Sequence, residues 1–438
     1  MSTVRLTAIY PAGARTSPLV LTDYAFLAAL ALALLIAVDP LDMLLERMIH
    51  TKHLALLLAL SALVLSVAGY HMQAAAHAGR AGFSIKERLP MREMLSIMAP
   101  LLALAAFIIG GGLVARFHFG IQNSFLVAGV YICIAPLSAA MVLYSRNPVQ
   151  LMRRYFNCVT VAGVIVFCGL AVNYGVKQVY HELEYLFPAL AVLAALGSGS
   201  MTARAGKVAF FILLAFLFKK NTGYLAALSV IGYLYIVVVW RRWADMHIVK
   251  RAAVINWTLI AVIALGALIG YLYLNRAAYL PSGSPEFRLL TYERAWLRFL
   301  ESPWIGTWFA APGSEEFTGF DTGVSDNILP THSDILDMLA NGGALAIVLW
   351  AWALARIALH AAVRVLSPAW RDHPLAPYAH TLAAMSIVGV ITYAFNPIFL
   401  QPGKAFLLWA NLGLLTGAAL KITRPAGAAS TEQQTPTS

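Results

Sequence analysis

Apolar runs of about twenty residues recur from one end of this chain to the other, and they constrain its fold more than any other feature. A helix that crosses ~30 Å of hydrocarbon at ~1.5 Å per residue needs ~20 mostly apolar residues. Such runs lie at 19–38, 54–70, 94–115, 122–144, 159–174, 185–198, 207–218, 223–240, 253–274, 334–359, 377–396 and 402–420. They predict an all-α integral membrane protein of about 12 transmembrane helices. The first run exceeds a signal-peptide core and is expected to stay as an anchor. Composition agrees: 60% of the residues are hydrophobic and 12% charged, against about 25% charged in a soluble domain.

The net charge of +11 would point to nucleic acid in a soluble chain. Here it sorts by side. With a cytoplasmic N-terminus and alternating sides, most of the 31 Lys and Arg residues fall in short cytoplasmic segments, among them Arg80, Lys86, Arg88, Arg92, Arg153, Arg154, Arg241, Arg242 and Arg364. The positive-inside rule accounts for them, so no nucleic-acid partner is expected. Both termini are then cytoplasmic, and the small polar tail 422–438 is expected to be disordered. Cys133, Cys158 and Cys168 show no CxxC spacing and imply neither a metal nor a disulfide.

One interval breaks the pattern. Residues 275–333 form a long polar stretch between the ninth and tenth runs, where most connections take only ~4–6 residues. The expected organisation is spans one to nine over 1–274, the long loop over 275–333, and spans ten to twelve over 334–421. The charge pattern puts that loop outside, in the periplasm of a Gram-negative cell. On the same side lie Arg116, His118, Lys177, His181, Glu182, Glu184, Lys219, Lys220, Arg276, Arg288, Arg294, Arg298 and His332. Lys and Arg are natural partners of phosphate, Arg in bidentate fashion. A histidine titrating near neutrality is the usual base for a hydroxyl nucleophile. An anionic donor with its apolar part in the bilayer, such as a lipid-linked diphosphate sugar attacked by a sugar hydroxyl, meets these needs.

The same residues have plainer uses. Lys219 and Lys220 could anchor a helix end at the interface. Arg294 and Arg298 stand four apart on the amphipathic stretch YERAWLRFL, where snorkelling to headgroups competes with substrate binding. Its Trp296, Phe299 and Leu300 would then face lipid or core. Trp304 and Trp308 serve as interfacial belt residues before sugar platforms. Pro303 and Gly306 shape a turn. Thr331 and Ser333 are better helix caps than His332, and Asp334 and Asp337 suit the first turn of the helix that follows. The spans carry almost no ionisable group and no visible internal repeat, which disfavours an ion-coupled transporter.

The order of these features resembles the superfamily of O-antigen ligases and O-antigen or exopolysaccharide polymerases. The residues that carry the resemblance are Arg288 to Tyr292, then Ser302-Pro303-Trp304-Ile305-Gly306, then His332-Ser333-Asp334 with Leu336, Leu339, Gly342 and Gly343. The related region extends over about 207–355. The resemblance implies a metal-independent, inverting glycosyltransferase without a cofactor, working at the periplasmic face of a bacterial inner membrane. Its donor would be a glycan on undecaprenyl diphosphate, and its acceptor a second lipid-linked glycan or the lipid A core. His332 would activate the acceptor hydroxyl, and Arg288 would hold the diphosphate. The family's basic residue before the loop is commonly part of a Ser-Arg pair; this chain has Lys219-Lys220-Asn221 there, so Lys220, with Lys219 and Arg294 beside it, would neutralise the phosphates without a bidentate clamp. A protein O-oligosaccharyltransferase of the same superfamily and a flippase for lipid-linked glycan are the alternatives.

Overall fold

The computed structural model describes residues 89–118, 124–145, 147–174, 186–197, 199–217, 221–243, 246–256, 284–310, 333–367, 373–395 and 402–422, with a few single positions outside these ranges. Every regular element among them is helical. In chain order they are α1 (Leu89–His118), α2 (Ser124–Ile132), α3 (Ile134–Tyr144), α4 (Pro148–Tyr174), α5 (Leu186–Leu196) and α6 (Met201–Leu217). There follow α7 (Asn221–Trp243), α8 (Ser284–Glu301), α9 (Asp334–Val365), α10 (Ala376–Phe395) and α11 (Pro402–Ile422).

Among the described residues, three helical stretches are long and apolar enough to cross a membrane: Met91–His118, Phe125–Tyr144 and Asp334–Val365. Phe187–Leu196, Gly223–Val239 and Ala405–Lys421 are shorter apolar helices. The all-helical, membrane-type architecture follows directly from the apolar runs. The runs at 19–38, 54–70 and 253–274 fall wholly or largely outside the described residues. The run at 122–144 holds α2 and α3, which meet at Cys133 in helical backbone (φ −64°, ψ −13°), where its N–H bonds Val130 O at 3.1 Å. The 275–333 interval is not loop throughout, since its middle is α8.

Close contacts give the helix directions. Arg364 near the end of α9 bonds Glu93 near the start of α1 at 2.6 Å. Trp308, whose neighbour Phe309 bonds Asn341 O in the first third of α9, bonds Phe107 O toward the other end of α1 at 3.1 Å. Helices α1 and α9 are therefore antiparallel. On α11, Gly413 lies against Ala135 and Gly417 against Ala139 and Val142 of α3, and Lys421 reaches Ser145 O at 3.3 Å. These two run parallel, in contact through a Gly-x-x-x-Gly face that lets two backbones approach where lipid offers no hydrophobic drive.

The core holds more polar groups than the apolar runs suggest. Tyr233 Oη and His380 Nδ1 are 2.9 Å apart, and Tyr155 donates to Asn411 Oδ1. Asp334 and Asp337 are buried at the start of α9. The two pairs each join neighbouring helices, so a partner across the contact relieves the cost of placing them there.

Candidate active site

The polar interval is built around α8. Pro285 stands in its first turn, where a missing N–H costs nothing. Thr291 and Ala295 are buried and Arg298 half-buried, while Glu293, Arg294, Trp296, Leu297 and Leu300 are exposed. The buried stripe has helical spacing, and it packs on the first half of α9, Ala295 against Ala340 beside Leu336. Helix α8 is therefore amphipathic as its sequence predicts. Of its two arginines in YERAWLRFL, Arg294 is exposed and Arg298 is half-buried.

The chain then makes a turn over Pro303–Phe309. Gly306 N–H bonds Ser302 O at 2.9 Å and Trp308 N–H bonds Ile305 O at 3.1 Å. Gly306, Trp308 and Phe309 all have positive φ, at 57°, 52° and 54°. Two successive aromatic residues in the left-handed region are strained and persist only where surrounding contacts hold them. Those contacts are present. The ring of Phe309 is buried, 4.7 Å from that of Phe125 on α2 and 5.9 Å from that of Phe107 on α1. Trp308 lies along α1, its indole N–H on Phe107 O and its carbonyl oxygen where a Cβ on Gly111 would sit only 1.8 Å away.

Helix α9 starts at a cap and is broken inside. Ser333, extended at φ −144° and ψ 105°, accepts Leu336 N–H on its Oγ at 3.4 Å. Ser333 is the cap, as its sequence position predicts. Farther on, Gly343 leaves the helix at φ 63° and ψ −165°, a conformation open essentially to glycine. A Cβ there would lie 2.6 Å from Gly306 N, Ile305 N and Trp304 C. The 303–309 turn fills the break. Ala344 N–H donates to Pro303 O at 2.8 Å and Leu345 N–H to Trp304 O at 3.0 Å, while Asn341 O accepts Phe309 N–H at 3.0 Å. Backbone groups that an unbroken helix would pair internally are paired to the turn instead, as burial demands.

Asn341 lies at the centre. Its Nδ2 donates to Asp337 O at 2.9 Å, and its Oδ1 accepts Arg298 Nη1 at 3.4 Å and Thr307 Oγ1 at 3.5 Å. Burial pulls the Arg298 guanidinium below its ordinary range, and the carboxylates of Glu301 and Asp337 oppose that shift. Asp334 and Asp337, which the sequence reading gave to the helix dipole, are fully buried under this joint. Among the described residues, no group of three His, Cys, Asp or Glu side chains comes together.

Of the residues predicted to act, Arg294 alone has a described side chain, and it is exposed on α8. Arg288 lies within α8, its side chain outside the described set. Lys219 and Lys220 fall between α6 and α7, and His332 immediately before the Ser333 cap, all three outside the described residues. Sequence reasoning passed over Asn341, and it left the role of Arg298 open. The available signal was Asn341-Gly342, a turn dipeptide inside an otherwise helical run. Among known proteins, no family model and no curated protein matches the chain.

Proposed function

We propose that this chain is an integral membrane glycosyltransferase of bacterial surface-polysaccharide assembly, an O-antigen ligase or polymerase. It would transfer a glycan from undecaprenyl diphosphate to a sugar hydroxyl at the periplasmic face of the inner membrane. His332 takes the proton of the acceptor hydroxyl, whose oxygen attacks the anomeric carbon. The bond from that carbon to the diphosphate oxygen breaks, with inversion, and undecaprenyl diphosphate leaves. Arg288 and Lys220, with Lys219 and Arg294, bind the diphosphate. Charge stabilisation of that leaving group is the larger catalytic term.

One observation carries the reading: the turn over Pro303–Phe309 is fixed by backbone bonds into the break of α9. It ties the helix that bears Arg288 to the helix that begins two residues after His332. An interval built this way resembles a preorganised site, in which geometry held to fractions of an ångström gives the rate.

The flippase reading has support of its own, in a broken helix with Asp334 and Asp337 buried at its start. Transporters typically turn the ends of broken helices toward an ion or substrate. Here Pro303 O and Trp304 O already take the N–H groups of Ala344 and Leu345 beyond the break, which favours a structural joint. The deciding experiment expresses His332→Ala in a strain lacking the gene and separates the surface glycans on a gel, with the membrane level of the variant checked. Loss of long glycan at a normal protein level is the expected result. Full restoration by the variant removes the catalytic role and moves the flippase reading ahead. The stranded intermediate, one repeat unit or a finished polymer on undecaprenyl diphosphate, separates polymerase from ligase.

A further inference from the structure

The proposed reaction needs its phosphate-binding and proton-accepting groups in fixed relation, yet Arg288 and His332 belong to different elements, joined in sequence by more than forty residues. A single buried side chain makes hydrogen bonds to α8, to the 303–309 turn and to the first turn of α9. Asn341 receives Arg298 from α8 and Thr307 from the turn on one oxygen, and through its amide nitrogen it holds Asp337 O in the first turn of α9. Its own carbonyl takes Phe309 N–H. The side chain is 3% exposed, so water cannot replace these bonds without opening the joint. An apolar residue of similar size would keep the main-chain carbonyl that takes Phe309 N–H but lose the amide group that bonds Arg298, Thr307 and Asp337 O. Leucine would leave the guanidinium of Arg298 facing an apolar group, while the Thr307 hydroxyl would keep only the main-chain carbonyl of residue 341, 3.5 Å away.

We propose that Asn341 is a positioning residue of the active site, which locks α8 and the 303–309 turn to the first turn of α9 and so sets the distance between the diphosphate-binding and base-bearing segments. The inference rests on the glycosyltransferase reading above. Asn341 touches no substrate; it acts through Arg298, Thr307 and the backbone of Asp337 and Phe309.

The test reads position and reaction separately. In a chain with its three cysteines replaced by alanine, Ala295→Cys and Ala340→Cys place a thiol on each side of the α8–α9 contact. The yield of the oxidised cross-link reports whether α8 stays seated. Asn341→Ala is expected to lower that yield and to lower glycan output about tenfold or more at a normal membrane level. Arg298→Met, which leaves α9 untouched, is expected to do the same to a smaller degree and covers the case in which Asn341→Ala does not accumulate. Oxidation of the cysteine pair in the Asn341→Ala chain is expected to restore most of the lost output, a rescue that a merely destabilised protein would not show. An unchanged cross-link yield, or a lower yield with full glycan output, overturns the proposal. So does a cross-link that forms without restoring output. His332→Ala run in parallel keeps the two ideas apart. If it abolishes output while Asn341→Ala does not, only the positioning role fails. If it leaves output intact, the glycosyltransferase reading fails, and positioning for that reaction fails with it.

Discussion

Helices α1 and α9 are joined near both ends, and the two junctions are made differently. At one, Arg364 meets Glu93 at 2.6 Å with their side chains 20% and 46% exposed, and Arg356 reaches Ser96 Oγ at 3.3 Å. Long flexible side chains span the gap there. At the other, backbone meets backbone: Gly111 admits the carbonyl of Trp308, and the 303–309 turn is bonded into the break at Gly343. A clasp of long side chains tolerates shifts of an ångström and exchanges with water. A joint of carbonyls and glycines tolerates neither. The rigid joint lies on the motif-bearing interval, and the flexible clasp lies at the far end. Of the two junctions, the one built from backbone contacts is the one made by the motif-bearing turn.

The contrast can be broken from either side. The largest effect is expected from Gly343→Ala, which combines a disallowed backbone with contacts at 2.6 Å to three turn atoms. It should cost about 3 kcal/mol or more, seen as a lower Tm of the purified protein in detergent; a wild-type Tm would show that the joint yields easily. Gly111→Ala drives a Cβ against the Trp308 carbonyl and should cost about 2 kcal/mol, with the Trp304 and Trp308 fluorescence changing as the turn is displaced. Trp308→Phe keeps an aromatic ring beside Phe107 but removes the indole bond to its carbonyl, a loss of about 1 kcal/mol by the same melt. At the opposite junction, Glu93→Gln should change stability by under about 1 kcal/mol, because a half-exposed pair is screened. A larger loss there would erase the contrast.

The smallest effect is one of pH. Burial holds the His373 imidazole, just before α10, below its ordinary range, and its Nδ1 accepts Leu375 N–H at 3.2 Å. A depressed native value means protonation favours the unfolded chain. The contribution is therefore whole above the unfolded value of about 6.5 and is lost as pH falls through the native one. A modest fall in Tm on acidification through that window, absent in His373→Asn, is expected.

Much of this protein was legible before any coordinates. The run at 94–115 became α1 and the stretch YERAWLRFL became part of α8, because lipid and helix geometry leave an apolar or amphipathic sequence few alternatives. Ser333 as cap and Pro303 with Gly306 as turn were equally visible, since caps and turns are decided by neighbours in sequence. What the sequence determined is thus what local rules reach: among the described residues, the helical, apolar character of the elements, the cap at Ser333 and the turn at Pro303 and Gly306.

The tertiary structure alone decided how these pieces engage. Nothing within a few residues of Ala344 announces that its N–H will bond Pro303 O, or that Trp308 will lie on Phe107 and Gly111. Arg294 and Arg298 look alike in the sequence, yet one is exposed and the other is drawn onto Asn341. The physical reason is common to all of these. A backbone group freed by a broken helix must find a partner, and which partner it finds depends on segments brought near it in space, from anywhere in the chain.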